Sequence, residues 1–218
     1  MEVIRKICEV IKSARLFKRE RVPHEVKAIA VLAYYFGASY RKVATLFQDF
    51  YKFSHQSLSE WYKRLSKVFP LTSKRKERRA VAIDETKICV KGEWFYFWVA
   101  IDIETREILA VHFSKNRSGL ETLIFLKQVM KKCSNKPTFY VDGGPWYPWA
   151  FQPLGLTFIH ETFGNRNAVE QWFSILKRRL LAFFKYFPNY SSYHSTLRWL
   201  SAFTTIYNLS LSEVLHLS

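Results

Sequence analysis

The chain has little cysteine, methionine, glycine or proline (three, two, seven and seven in 218 residues), and only 18 acidic residues against 34 lysines and arginines. Cys8, Cys89 and Cys133 are odd in number and far apart, which suits neither a disulfide framework nor a zinc site; they read as buried thiols of a reducing compartment. No run of about eighteen uncharged apolar residues is present. The best apolar run, residues 94–101, is of strand length, and Glu2, Arg5, Lys6 and Glu9 stand where a signal peptide needs an apolar core. The expectation is a soluble, intracellular chain without a membrane partner.

What is present is core material and positive charge. The residues are 49% hydrophobic and 17% aromatic, which excludes disorder and fibrous architectures. The formal net charge of +16 costs self-repulsion that a polyanionic partner offsets, so nucleic acid is the expected partner. Residues 1–80 hold 19 Lys and Arg against 7 Asp and Glu, concentrating the charge in the amino-terminal third.

Helical spacing dominates that third. Ile4, Ile7, Cys8, Ile11 and Ala14 predict a basic amphipathic helix over 2–17, and Val26, Ile29, Ala30, Ala33 and Tyr34 predict a second over 24–36, stopped by Gly37. Ser39 is placed to cap 40–47. Ser54 or Ser57 is placed to cap a further helix to about residue 65, Ser57 and Glu60 having the spacing of a capping box. Short connections suggest a helix-turn-helix, although any small three-helix bundle produces the same periodicity. Leu58, Trp61, Tyr62 and Leu65 would face inward, and His55, Gln56, Ser59, Lys63 and Arg64 a DNA groove, with Arg41 and Lys42 also on DNA. Residues 71–79 read as a charged linker, either solvated or lying along DNA.

From residue 80 the pattern changes to short β-branched and aromatic runs. Strands are predicted over 81–84, 94–103, 108–113, 138–141 and 157–160, with a helix over 120–132. Asn165 and Asn167 are cap candidates for a long amphipathic helix through Phe184, which Pro188 breaks, and a final helix covers 193–215. The order is that of an α/β mixed sheet with flanking helices. The expected domains are a helical one over 1–70, the linker, and a sheet domain over 80–218 that includes the last helices.

Three carboxylates stand out. Asp84 and Asp142 each end an apolar run, where open α/β sheets place their sites, and Gly143 and Gly144 follow at once, where the chain must turn or admit a ligand. Glu170 lies beside the apolar face of Val169, Trp172, Phe173 and Leu176, with Lys177 two helical turns on. Hard oxygen donors from two strands and a helix suit a pair of Mg²⁺ ions. Asp102 and Glu104 read as turn residues, Glu121 as a helix-start acid, and Glu161 as the substitute for Glu170. Trp146, within Pro145, Trp146, Tyr147, Pro148 and Trp149, either packs a loop or stacks on a frayed base.

Ala-Ile-Asp-Glu-Thr at 82–86, Val-Asp-Gly-Gly-Pro-Trp-Tyr-Pro at 141–148 and Arg-Asn-Ala-Val-Glu at 166–170 with Lys177 resemble, in that order, the DDE transposases of prokaryotic insertion sequences, with insertion sequence family six in its archaeal branch the nearest. The resemblance covers nearly the whole chain. It implies a ribonuclease H-like fold, a metal triad of Asp84, Asp142 and Glu170, and Lys177 as the basic residue that accompanies the glutamate. It also implies two Mg²⁺ ions, with Mn²⁺ able to substitute, and cleavage and strand transfer at element ends by a dimer that pairs terminal repeats with target DNA. Trp146, Arg166 and Asn167 are expected on that DNA. Glu170 follows Asp142 by 28 positions, a shorter interval than the family's, which implies a trimmed intervening segment. A structure-selective nuclease on the same scaffold and a non-catalytic DNA-binding regulator are the alternatives.

Overall fold

The structure is a computed structural model, and it describes residues 2–17, 21–161, 164–181, 186–187 and 191–214. The chain forms two compact units: Met1–Thr72 with Tyr193–Ser218, and Ser73–Ser192.

In the helical unit, α1 (Glu2–Ser13), α2 (His24–Tyr35), α3 (Tyr40–Phe47) and α4 (His55–Arg64) are followed by a 3-10 segment, Leu65–Leu71. Ser39 accepts a hydrogen bond from the Lys42 backbone N–H at 3.1 Å and caps α3. Ser54, not Ser57, caps α4, accepting from the Ser57 N–H at 3.1 Å, so the Ser57–Glu60 box does not form the helix start. Leu58, Tyr62 and Leu65 are buried as expected, whereas Trp61 is half-buried. The last helix, α8 (Tyr193–Val214), belongs to this unit rather than to the sheet. Its Trp199 indole N–H donates to Tyr34 Oη at 2.7 Å, and Thr205 donates to the Leu65 carbonyl at 3.2 Å. Apolar periodicity shows that a helix has a face to bury but not which partner covers it. The expected helix end at Phe184, the break at Pro188 and the last position, Leu215, lie outside the described residues.

In the sheet unit, β1 (Ala80–Val90), β2 (Glu93–Asp102) and β3 (Ile108–Ser114) form an antiparallel meander. Then come α5 (Gly119–Met130), β4 (Thr138–Val141), α6 (Trp146–Phe151), a 3-10 turn (Gln152–Leu154), β5 (Phe158–His160), α7 (Asn167–Leu180) and β6 (Tyr186–Phe187). The strand order is β3-β2-β1-β4-β5, with β4 parallel to β1, β5 parallel to β4, and β6 parallel to the far end of β1. This is the ribonuclease H-like mixed sheet with flanking helices that the resemblance implied. Among its described residues, the segment between Asp142 and Glu170 holds a six-residue helix, one 3-10 turn, a three-residue strand and the start of α7.

Two aromatic layers cover the sheet, and strand alternation assigns them. Trp98 lies 6.0 Å from Phe125 of α5, while its neighbour Phe97 lies 6.1 Å from Trp172 of α7 on the opposite face. Val81, Ile83, Phe139 and Val141 share the first layer with Tyr147 and Phe151 of α6. The three cysteines are free and buried.

The expected linker is partly built into the fold. Arg78, among the most buried side chains, pairs with Asp102 at 2.7 Å and with Glu107, and donates to Ser73 Oγ and the Lys74 carbonyl. A run of charge reads as solvated because sequence does not reveal the partner acids, which arrive from the β2–β3 turn. Asp102 is the turn residue expected, accepting from the Glu104 and Thr105 N–H groups at 2.9 Å each.

Candidate active site

Asp84 lies inside an eleven-residue strand rather than at its end, because β1 continues along β2 after β4 has stopped. The parallel pairing of β1 with β4 closes at Ala82 and Tyr140, and Asp84 and Asp142 each stand two residues beyond it. The two acids therefore arise at equivalent points of adjacent parallel strands. What brings them near each other is the end of the pairing, not the end of both strands.

Alternation along β1 separates Asp84 from Glu85. Val81, Ile83 and Glu85 face α6, and Tyr147 Oη donates to Glu85 Oε2 at 2.9 Å. Ala82 and Asp84 face the side that α7 covers, and there the Arg166 guanidinium donates to Asp84 Oδ2 at 2.9 Å. The remaining Asp84 oxygen accepts from the Glu85 N–H at 2.8 Å, and Asp142 Oδ1 accepts from the Gly144 N–H at 3.1 Å.

The electrostatics are those of crowded carboxylates. Burial raises Asp84 above its ordinary value; Arg166 and the Glu85 N–H pull it down, and the charge of Asp142 pushes it up. Burial, then Asp142, raise Glu85 to about 7, against the hydrogen bonds from Tyr147 and Arg117. Burial and the three neighbouring acids hold the Tyr147 phenol well above its usual range. A divalent cation would offset the repulsion from Asp142 that adds to burial in raising Asp84 and Glu85, and carboxylate oxygens are the donors such an ion takes.

The structure does not gather the whole expected triad. Among the described residues, no three His, Cys, Asp or Glu side chains stand together as a metal-holding group. Glu170 is exposed in the first turn of α7, its N–H bonded to the Arg166 carbonyl at 3.2 Å, so it lies one turn beyond the residue that touches Asp84. Lys177 is exposed two turns further, its ammonium 6.0 Å from the Phe173 ring. The cap position of α7 is held by Arg166, without a side-chain cap, rather than by Asn165 or Asn167. Glu161 accepts from the Asn165 N–H at 3.2 Å and supports that turn.

Several expected DNA-contacting residues are placed differently. Arg166 is buried on Asp84 rather than offered to DNA, while Asn167 is exposed. Trp146 is half-buried, with Gly144 beneath it: a Cβ on Gly144 would stand 2.4 Å from the indole, so this glycine admits a ring. The exposed indole of the motif is Trp149. Arg117 is a site residue that sequence reasoning missed; its place in a polar loop carried no signal.

In the helical unit the expected contacts divide between two grooves. Arg41 and His55 line one of about 730 Å³ with Thr45, Gln48 and Lys52. Gln56, Lys63 and Arg64 line another of about 1030 Å³ with Arg15, Lys67 and Arg198. Lys42 is exposed and Ser59 half-buried, while Arg64 also donates to the Leu16 carbonyl at 3.3 Å.

Comparison with known proteins places the chain in a family. A family model described as a DDE domain matches residues 78–210. An uncharacterized protein of Methanocaldococcus jannaschii is 47% identical over 208 residues, covering 95% of each chain. The transposase for insertion sequence-like element IS431mec of Staphylococcus aureus is 26% identical over 135 residues, 59% of each chain. Among solved structures, the magnesium-bound catalytic core domain of HTLV-2 integrase aligns at a TM-score of 0.45 with 16% identity, covering 60% of this chain and 86% of that one. A simian T-cell lymphotropic virus intasome chain aligns at 0.46 with 18% identity, covering 61% and 50%. The chain belongs to the DDE domain family of insertion-sequence transposases.

Proposed function

We propose that this chain cuts the ends of an insertion sequence and joins them to target DNA, with Asp84, Asp142 and Glu170 holding two Mg²⁺ ions. The observation that carries this reading is the convergence of Asp84, Asp142 and the start of α7 on one side of the sheet. Bound there, Mg²⁺, or Mn²⁺ in its place, supplies Lewis-acid stabilisation of the oxygens on the reacting phosphorus.

The reaction is in-line displacement. Water attacks the scissile phosphorus and the DNA 3′-oxygen leaves, taking up the proton that the water gives up; that 3′-hydroxyl then attacks a target phosphorus, and as the new phosphodiester forms the target's own 3′-oxygen leaves and takes up the hydroxyl proton. The chain's part is positioning. Asp84 and Asp142 are fixed by β1 and β4, Glu170 is carried by α7, and Lys177 on the same helix meets the DNA backbone. Arg166 must leave Asp84 Oδ2 before that oxygen serves as a ligand.

The grooves flanking α4, with Arg41, His55, Gln56, Lys63 and Arg64, bind the terminal repeat, while Lys42, Ser59 and Asn167 add contacts. Pairing two ends makes the working form a dimer. A strand-transfer assay in Mg²⁺ and in chelator, comparing the unaltered chain with Glu170→Ala, tests the reading. Metal-dependent joining that vanishes in the variant supports it; cutting without joining indicates a nuclease, and DNA binding with neither activity a regulator.

A further inference from the structure

We infer that Arg117 binds a phosphate of the DNA strand that enters the Asp84–Asp142 site. The inference rests on the reading of that site as the place of phosphoryl transfer, and names a substrate-binding residue for it.

Arg117 lies in the loop between β3 and α5, residues 115–118. Both ends of the loop are fixed. Ser114 Oγ donates to the Asn116 carbonyl at 2.7 Å and accepts from the buried Trp98 indole at 2.9 Å, while Ser118 caps α5. The guanidinium stands 4.0 Å from the Trp146 ring centroid and 5.2 Å from that of Tyr96. One N–H donates to Glu85 Oε1 at 3.0 Å. The Glu85 side chain is 2% exposed and already bonded to Tyr147, so three elements fix this cation beside Glu85.

Two features separate this from an ordinary structural ion pair. Stacking uses the faces of a guanidinium and leaves its in-plane donors, which match phosphate geometry. Among the described residues, Glu85 is the one hydrogen-bond acceptor Arg117 meets, and its side chain remains 37% exposed. The need for a cation is also specific: Glu85 lies within electrostatic reach of Asp142 and of Asp84, and the negative charge of these acids repels an incoming phosphodiester. A fixed guanidinium beside Glu85 lowers that barrier on the side where Trp146 stands.

The test is a thermodynamic cycle on the full-length chain. Terminal-repeat duplexes carrying one neutral methylphosphonate at successive positions near the cleavage site are compared for the unaltered chain, Arg117→Ala and Arg117→Lys. Cleavage is read as kcat and KM, and binding by fluorescence anisotropy. Arg117→Ala should raise KM about ten-fold, and at one position the methylphosphonate should cost the unaltered chain about ten-fold and the variant nothing further. Arg117→Lys should recover part of the loss. Additive losses at every position in both readouts overturn the inference, as does an unchanged KM in a variant that cuts. Absence of cleavage by the unaltered chain would instead sink the transposase reading, and the anisotropy cycle would still decide whether Arg117 meets a phosphate.

Discussion

The buried Arg166 guanidinium donates to Asp84 Oδ2 at 2.9 Å, so one of the two strand acids is already occupied by a cation of the protein itself. Arg166 also donates to the Glu161 carbonyl at 3.2 Å, which ties it to the turn before α7. A divalent ion and this guanidinium therefore compete for one oxygen. Arg166→Gln should tighten Mn²⁺ binding by about ten-fold, because a unit charge beside the site is removed. Titration calorimetry checks this, and weaker binding in the variant would mean that Arg166 helps to form the metal site.

Replacing Asp84, Asp142 or Glu170 with Ala should lower cleavage by roughly three orders of magnitude while leaving DNA affinity within about two-fold, since ligand loss spares the basic grooves. Parallel cleavage gels and anisotropy titrations test it. A variant that loses binding and cutting together would place that residue in DNA recognition instead.

Salt dependence should resolve the helical unit. Arg41→Ala and Lys63→Ala line different grooves, and each should reduce the slope of log affinity against log salt by about one, with additive effects in the double variant. If neither slope moves, the duplex is held elsewhere.

Arg78 and Asp102 provide a stability test away from the chemistry. Burial raises Asp102, but the Thr105 N–H, Arg78 and the Glu104 N–H outweigh it and hold the carboxyl below its ordinary value. The unfolded chain therefore takes up this proton more readily than the folded one. The stabilisation is complete above about pH 4, the unfolded carboxyl's range, and is lost as pH falls through the lowered folded value. Arg78→Ala strands Asp102 in the interior and should cost about 3–5 kcal/mol at neutral pH, measured by urea unfolding. In Asp102→Asn, the acid sensitivity that remains should be smaller than in the unaltered chain.

Local pattern made much of this protein legible. The caps at Ser39 and Ser54 have a spacing that nearby backbone satisfies, β3 and β4 are bounded by turn residues, and the apolar stripe of α7 repeats at the helical period; each is set within a few residues of the chain. Asp84 and Asp142 are legible as candidates because each follows a short apolar run, and Glu170 because it borders the apolar face of a helix. Placement was decided by contacts between distant segments. Strand alternation turned Asp84 toward α7 and Glu85 toward Tyr147 only once β4 and the helices had taken their sides. Burial of Arg78 required acids from the β2–β3 turn, and Trp199 found Tyr34 across 165 positions. Arg117 gained its place from Glu85, Tyr96 and Trp146, none of them adjacent in sequence. Periodicity and capping depend on nearest neighbours along the chain, whereas charge pairing, burial and the choice of covering helix depend on which surfaces meet, which tertiary packing alone decides.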